Sequence, residues 1–184
     1  MDVWKAIQER HATRSYTDAP IAHTTFERLI DAAIQAPSAM NLQPWHFTVI
    51  QDRRLLDDIS ARAKAHLLAS STALPKGMLE HLHDGAFHIF YHAPAVVLIS
   101  AEANAAWGSE DAALAAENLM LAACALGLGT CWIGLAQAWL ETAEAKKRID
   151  LPAAFRPIAP IAIGHAGAAS PAVPRKAAEI NWIG

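Results

Sequence analysis

The segment that most restricts how this chain can fold is residues 109–126, SEDAALAAENLMLAACAL. Apart from its first turn and one Glu-Asn pair, it consists of Ala, Leu, Met and Cys. A helix that is apolar on nearly every side must be buried, either in a core or against a partner subunit. Glu110 and Asp111 complement the positive end of its dipole, and Gly127 and Gly129 end it. The rest of the fold must therefore cover this helix.

Four more helices are predicted from apolar spacing and end signals. Residues 2–9 form a short helix, Asp52 caps a helix with an apolar face, and residues 139–149 form a helix that ends before Pro152. Thr-Thr-Phe-Glu at 24–27 has the form of a capping box. The helix that follows it ends before Pro37 and has one apolar face, formed by Phe26, Leu29, Ile30, Ala33 and Ile34.

Four strands are predicted from β-branched and apolar runs. Residues 46–50 form one, and residues 95–101 read as a buried central strand because they are continuously apolar. Residues 130–134 are strand-like and end in a glycine. Residues 157–165 contain two prolines, which favour an edge or irregular position. The segments together predict an α+β domain with a central, mostly antiparallel sheet flanked by helices.

Composition narrows the class of protein. With 184 residues, 53% of them hydrophobic and 18% charged, the chain is expected to form one globular domain over residues 1–184. A net charge of −3 argues against binding to nucleic acid. No apolar run reaches the roughly 20 residues of a membrane span. Two cysteines and a first segment without a signal-peptide core indicate a cytoplasmic protein.

Residues 68–92 contain four histidines, His81, His83, His88 and His92, among aromatic residues. His88 and His92 have the spacing of one helical turn, which a metal site could use. No HExxH pattern and no acidic ligand cluster accompanies them. An aromatic lid or pocket wall is therefore the preferred interpretation, and no metal is expected.

Residues 36–50, APSAMNLQPWHFTVI, connect a helix to a strand through a bend bounded by two prolines. Pro37 and Pro44 bias the residues before them away from helix. Ser38, Asn41 and Gln43 are displayed on irregular backbone, where they could meet a flat polar heterocycle. They could equally satisfy the backbone of their own loop.

Arg10 and Arg14 lie four residues apart around a predicted helix end. Guanidinium groups suit phosphate because they present rigid, bidentate donors. A solvated basic helix end is the alternative for these two residues alone.

Three motifs in this order, RHATRSY, APSAMNLQPWHF and ENLMLAACALGLGTCWIG, resemble the nitroreductase family of FMN-dependent flavoenzymes. The resemblance covers residues 3–176. It implies the nitro-FMN-reductase fold, in an intertwined homodimer with FMN at the subunit interface. The chain departs from the family at Ala12, where serine is common, and at Glu117, where glutamine is commoner.

The resemblance also implies roles for individual residues. The FMN phosphate would be held by Arg10, Arg14 and Arg175, and the backbone of the first turn would contact FMN at His11 and Ala12. A loop from the other subunit would reach the flavin through Pro37, Ser38, Ala39, Asn41 and Gln43. The segment that passes the isoalloxazine would be Cys131, Trp132, Ile133 and Gly134, with one backbone N–H near N5.

The implied activity is hydride transfer from NAD(P)H through FMN to nitroaromatics, quinones or similar flat acceptors, in a ping-pong reaction. The cofactor would perform the chemistry, and no catalytic side chain is assigned. Cys131 is a poor nucleophile because burial raises the pKa of a thiol. Three alternatives stay open. The first is a specialised FMN enzyme of the same fold, namely a dehalogenase, a dehydrogenase or a flavin-fragmenting enzyme. The others are a flavin-binding protein without turnover and a structural helical protein.

Overall fold

A computed structural model describes residues 1–70, 76–168 and 173–184 of the chain. The predictions for residues 68–92 fall partly outside these ranges. The helices are α1 (Val3–Glu9), α2 (His23–Ala33), α3 (Arg53–Ser70), α4 (Lys76–His83), α5 (Gly108–Ala125), α6 (Gln137–Leu140) and α7 (Ala143–Arg148). The strands are β1 (Trp45–Ile50), β2 (Ala95–Glu102), β3 (Gly129–Trp132) and β4 (Phe155–Gly164).

The four strands form one sheet in the order β1-β2-β4-β3, and each neighbouring pair is antiparallel. Strand β2 lies in the interior of the sheet, and all its residues except the last are buried. The predicted α+β fold with a mostly antiparallel sheet is confirmed. Strands β1 and β3 lie at opposite edges, separated by β2 and β4.

Helix α5 is buried within its own chain. It packs against α2 and against one face of the sheet, and Leu119 and Ala123 on it have no exposed surface. Leu114 and Leu126 remain 46% and 37% exposed. The prediction of a buried helix is correct, and most of the burial comes from the chain's own core. On the other face of the sheet, α3, α6 and α7 form a second apolar core.

Two helix predictions need correction. Helix α2 begins at His23 with Ala22 as its N-cap and without a side-chain cap, so the Thr-Thr-Phe-Glu sequence lies inside the helix and is no capping box. The helix predicted over 139–149 is two helices, α6 and α7. Thr142 separates them because its extended backbone ends the first, while its hydroxyl accepts from the Ala145 N–H at 3.1 Å and caps the second.

Strand β4 is an interior strand, so the predicted edge position is wrong. Its two prolines lie at positions where the regular hydrogen bonding of the sheet does not require a backbone N–H from β4. Pro157 lies at the register shift opposite Ser100, which fits the predicted irregularity. Pro160 lies opposite Ile133, just beyond the end of β3, where its carbonyl still accepts from the Ile133 N–H at 2.8 Å. Proline is tolerated at such positions because no donor is required there.

Within the described ranges, no helix is long and apolar enough to cross a membrane.

Candidate functional site

The segment after α1 is attached to the outer edge of β3. Ala12 forms a parallel bridge with Thr130, and the Thr13 N–H donates to the Thr130 carbonyl at 2.9 Å. Thr13 is buried because it packs against Gly129, where no side chain intervenes. The Tyr16 hydroxyl donates to the Thr13 carbonyl at 2.8 Å, and burial raises the pKa of Tyr16, which keeps it protonated. The Arg10–Arg14 segment is thus fixed beside Cys131–Gly134.

Backbone alternation directs the Trp132 N–H to the outer edge of β3. The Ile133 N–H is directed at β4, since it donates to the Pro160 carbonyl. Alternate residues of an antiparallel strand direct their backbone groups to opposite sides, so Thr130 and Trp132 face the outer edge. Thr130 is engaged there by Thr13. The Trp132 N–H therefore points to the outer edge, and Trp132 as a whole is 39% exposed.

The two arginines contact different surroundings. Arg10 lies beside α5, with its Nε 3.3 Å from Glu117 Oε1, and its side chain is only 20% exposed. Arg14 lies close enough to Cys131 for its charge to oppose the rise that burial causes in the pKa of that thiol. Arg10 is therefore on the α5 side of the sheet edge, whereas Arg14 is on the β3 side.

The loop between α2 and β1 is unusual in its backbone. Met40, Asn41 and Gln43 have φ angles of 51°, 55° and 51°, in the left-handed region that is costly for residues other than glycine. The Ser38 hydroxyl accepts from the Gln43 N–H at 3.0 Å, and Asn41 Oδ1 accepts from Gln43 Nε2 at 3.2 Å. The polar side chains do satisfy their own loop, as one interpretation of the sequence held, yet the loop stays largely exposed.

The predicted flavin residues form two groups within one chain. Residues 10–14 and 131–134 are at the β3 edge, and residues 37–43 lead into β1 at the other edge, about 14 Å away across three strand spacings. Trp45, at the start of β1, is level with Ala101 at the end of β2. Gly129, at the start of β3, is level with Gly164 at the end of β4. Trp132 is level with Ile161, which pairs with Val97 in the middle of β2. The two groups therefore lie at opposite edges of the sheet, and the 37–43 loop lies beyond the end of β2. Arg175 is exposed in the tail and joins neither group through the described contacts.

Asp111 lies near the predicted site. From the sequence, it was expected only to complement the dipole of its helix. It is 4% exposed, and its Oδ1 accepts from the Ala39 N–H at 3.0 Å. This bond ties the 37–43 loop to the first turn of α5. The sequence contained one indication of this bond: an aspartate in the first turn of a buried helix can accept a hydrogen bond from an irregular loop elsewhere in the chain.

We expect Asp111→Ala to leave the Ala39 N–H without its acceptor and to loosen the loop. Loss of one charged hydrogen bond, about 1.5–3 kcal/mol, should speed hydrogen exchange of the Ala39 amide by about 10- to 100-fold. Asp111→Asn keeps an acceptor oxygen and is the matched control. Equal exchange rates in both variants and the wild type would contradict the role of Asp111.

Two histidines of the His-rich segment lie close to an acidic residue, and this proximity was not predicted from the sequence. Asp57, in the second turn of α3, has Oδ1 3.2 Å from His88 Nε2. Asp57, His88 and His92 offer ligand atoms within 4.8 Å of one another. However, His88 Nδ1 accepts from the Phe90 N–H at 3.2 Å, and burial lowers the pKa of His88. His88 Nδ1 is thus already occupied by a backbone N–H, and the pocket-wall interpretation of this segment stays a prediction.

Comparisons with known proteins agree with this arrangement. The chain resembles a Bacteroides fragilis nitroreductase with bound FMN, at 28% identity and a TM-score of 0.88, over 100% of this chain and 99% of that one. An FMN-dependent nitroreductase from Clostridium difficile shares 25% identity at a TM-score of 0.82, over 99% of each chain.

Matches to curated sequences are shorter. The FMN reductase [NAD(P)H] of Bacillus subtilis is 29% identical over 122 residues, which cover 61% of this chain and 49% of that protein. The chain spans 31%, 32% and 24% of the length of three further curated relatives.

The family model described as the Nitroreductase family matches residues 7–165, from the end of α1 to the residue after β4. That range contains both groups of predicted flavin residues except Arg175, as well as the whole sheet. The chain belongs to the Nitroreductase family.

Proposed function

We propose that this protein is an FMN-dependent oxidoreductase that uses NAD(P)H to reduce nitroaromatics, quinones or similar flat acceptors by a ping-pong mechanism. It acts in the cytoplasm as a single domain over residues 1–184, in a homodimer with FMN at the interface. One observation carries the proposal. In this member of the Nitroreductase family, the outer edge of β3 holds Arg10, Arg14 and the outward Trp132 N–H beside one another.

The chemistry of these donors suits FMN. Arg10 is a half-buried cation that can meet a phosphate dianion. Arg14, near Cys131, and Arg175 in the tail are the further cations that we assign to the phosphate. The Trp132 N–H suits a ring nitrogen along the same edge. FMN, when bound, supplies the hydride chemistry, and the chain holds and orients it while it leaves one ring face open.

The separation of the two groups supports the homodimer. Residues 37–43 lie too far from residues 131–134 in one chain to contact the same flavin ring. In a symmetric dimer, the loop of one protomer can complete the edge of the other. The described surface also exposes large apolar side chains on the N-terminal helix and the tail: Val3, Trp4, Ile7, Ile180, Trp182 and Ile183.

The first test is the visible absorbance spectrum of the purified protein, followed by anaerobic titration with NADH and with NADPH. We expect two oxidised-flavin bands that bleach when a reduced nicotinamide is added. Bands that persist with both would contradict the reductase and favour a flavin-binding protein without turnover. A colourless protein that cannot be reconstituted with FMN would overturn the cofactor assignment as well.

A further inference from the structure

The ion pair of Arg10 with Glu117 has consequences for the affinity of the proposed phosphate site. Glu117 lies in the middle of α5, and its carboxylate is 49% exposed, whereas Arg10 is 20% exposed. Arg10 follows directly after α1, which packs on α5. The carboxylate therefore holds the guanidinium against the helix, at 3.3 Å from Nε.

A bound phosphate would have to share Arg10 with this carboxylate. Arg10 offers five N–H donors, so its Nη groups can still face a ligand while Nε faces Glu117. The charge of Glu117 nevertheless opposes a dianion at the same guanidinium. Ala12, on the same segment, has no hydroxyl to add a neutral donor. Both features weaken the hold on phosphate without disturbing contacts to the flavin ring.

We propose that Glu117 is a positioning residue that orients Arg10 and at the same time keeps FMN weakly held and exchangeable, through repulsion of the phosphate. The inference rests on the proposed function. Bound FMN is then expected to exchange with FMN in solution more readily than it would beside an uncharged residue 117.

Repulsion is expected to outweigh the benefit of orientation. The half-exposed ion pair stabilises the position of Arg10 only weakly, because exposed pairs contribute little. Arg10 is also restrained by its place at the end of α1, where its N–H donates to the Ala6 carbonyl at 2.9 Å. Removal of the Glu117 charge should therefore strengthen phosphate binding more than it loosens Arg10.

The test is Glu117→Gln, with dissociation constants measured by flavin fluorescence for FMN and for riboflavin, which lacks the phosphate. The amide keeps the size of the side chain and removes its charge. We expect FMN to bind about three- to tenfold tighter, the effect of one partly screened charge, and riboflavin to bind as in the wild type. Glu110→Gln removes an exposed charge two turns earlier on α5 and should change neither constant.

Other outcomes would overturn the inference. FMN affinity that stays within twofold of the wild type would show that Glu117 does not act on the phosphate. Weaker FMN binding would show that orientation of Arg10 dominates. An equal gain for riboflavin would place the effect away from the phosphate. Failure of the wild-type protein to bind either flavin would instead refute the proposed function, and the inference with it.

Discussion

Replacement of Arg10 by Ala is expected to weaken FMN binding by about 10- to 100-fold, the loss of one or two charge-assisted hydrogen bonds to phosphate. Arg10 is held beside α5 at the edge where residues 10–14 join β3. Its side chain contributes little to the apolar core, so the variant should fold. Fluorescence titration with FMN, together with circular dichroism, measures both properties.

Arg54→Ala is the matched control, since Arg54 is an exposed arginine at the start of α3, which follows β1 at the opposite edge of the sheet. It should bind FMN like the wild type. FMN affinity that is unchanged in Arg10→Ala would remove Arg10 from the phosphate site. Riboflavin binding should be nearly unaffected by Arg10→Ala, because the missing contact is to the phosphate.

The second large effect is expected for Gly129→Ala. A Cβ at Gly129 would lie 2.5 Å from Thr13 Oγ1 and 2.7 Å from Thr13 Cβ, and Thr13 is 1% exposed and cannot move away freely. The residue 10–14 segment must then shift from β3. We expect a loss of about 1–3 kcal/mol in the free energy of unfolding, as for overpacked cores, and flavin-dependent turnover about 10- to 100-fold lower.

Urea unfolding and steady-state NAD(P)H oxidation measure these two quantities. Gly85→Ala is the control, because a Cβ there meets no atom within 4 Å. Thr13→Gly in the Gly129→Ala background removes the clashing side chain and should restore part of the turnover. Turnover and stability equal to the wild type in Gly129→Ala alone would refute the close contact as a requirement of the site.

Elements with a strong local signal could be predicted from the sequence. The β-branched run at 95–101 and the apolar helix at 109–126 occur within one residue of their predicted bounds. The Asp52 cap is also present, since its carboxylate accepts from the Arg54 N–H at 2.9 Å. The family resemblance, carried by three motifs, is confirmed by the match over residues 7–165.

Features that depend on distant partners could not be predicted. The interior position of β4 depends on its pairing with both β2 and β3, which outweighs the usual preference of proline for edges. The helical pattern over 139–149 has no gap at Thr142, but the N-cap formed there interrupts the helix. Helix α2 begins at His23, before the Thr-Thr-Phe-Glu sequence. The side chains of Thr24 and Glu27 therefore have no unpaired backbone N–H groups to cap, although their spacing suits a capping box.

The sequence indicated which residue types form the candidate site, but it indicated their relative positions only in part. Sequence spacing placed Arg10 and Arg14 together, because four residues make one helical turn. The structure ends α1 at Glu9 and continues in extended backbone, so the two side chains diverge toward α5 and β3. The contacts of Asp111 with Ala39, and of Asp57 with His88, join residues 72 and 31 positions apart, respectively. No local pattern encodes such pairs.

The place of β4 in the sheet also determines when the site can form during synthesis. The strand follows β1, β2 and β3 in the sequence, yet it joins β2 to β3, and the Tyr16 hydroxyl reaches the Ala162 carbonyl across 146 positions. Contacts of such high sequence separation form late, because a long loop must close first. A ribosome-bound chain that lacks residues 155–164 cannot hold residues 10–16 at their final edge. The cofactor edge is thus completed only after residues 155–164 have emerged, and nascent chains lack it until then.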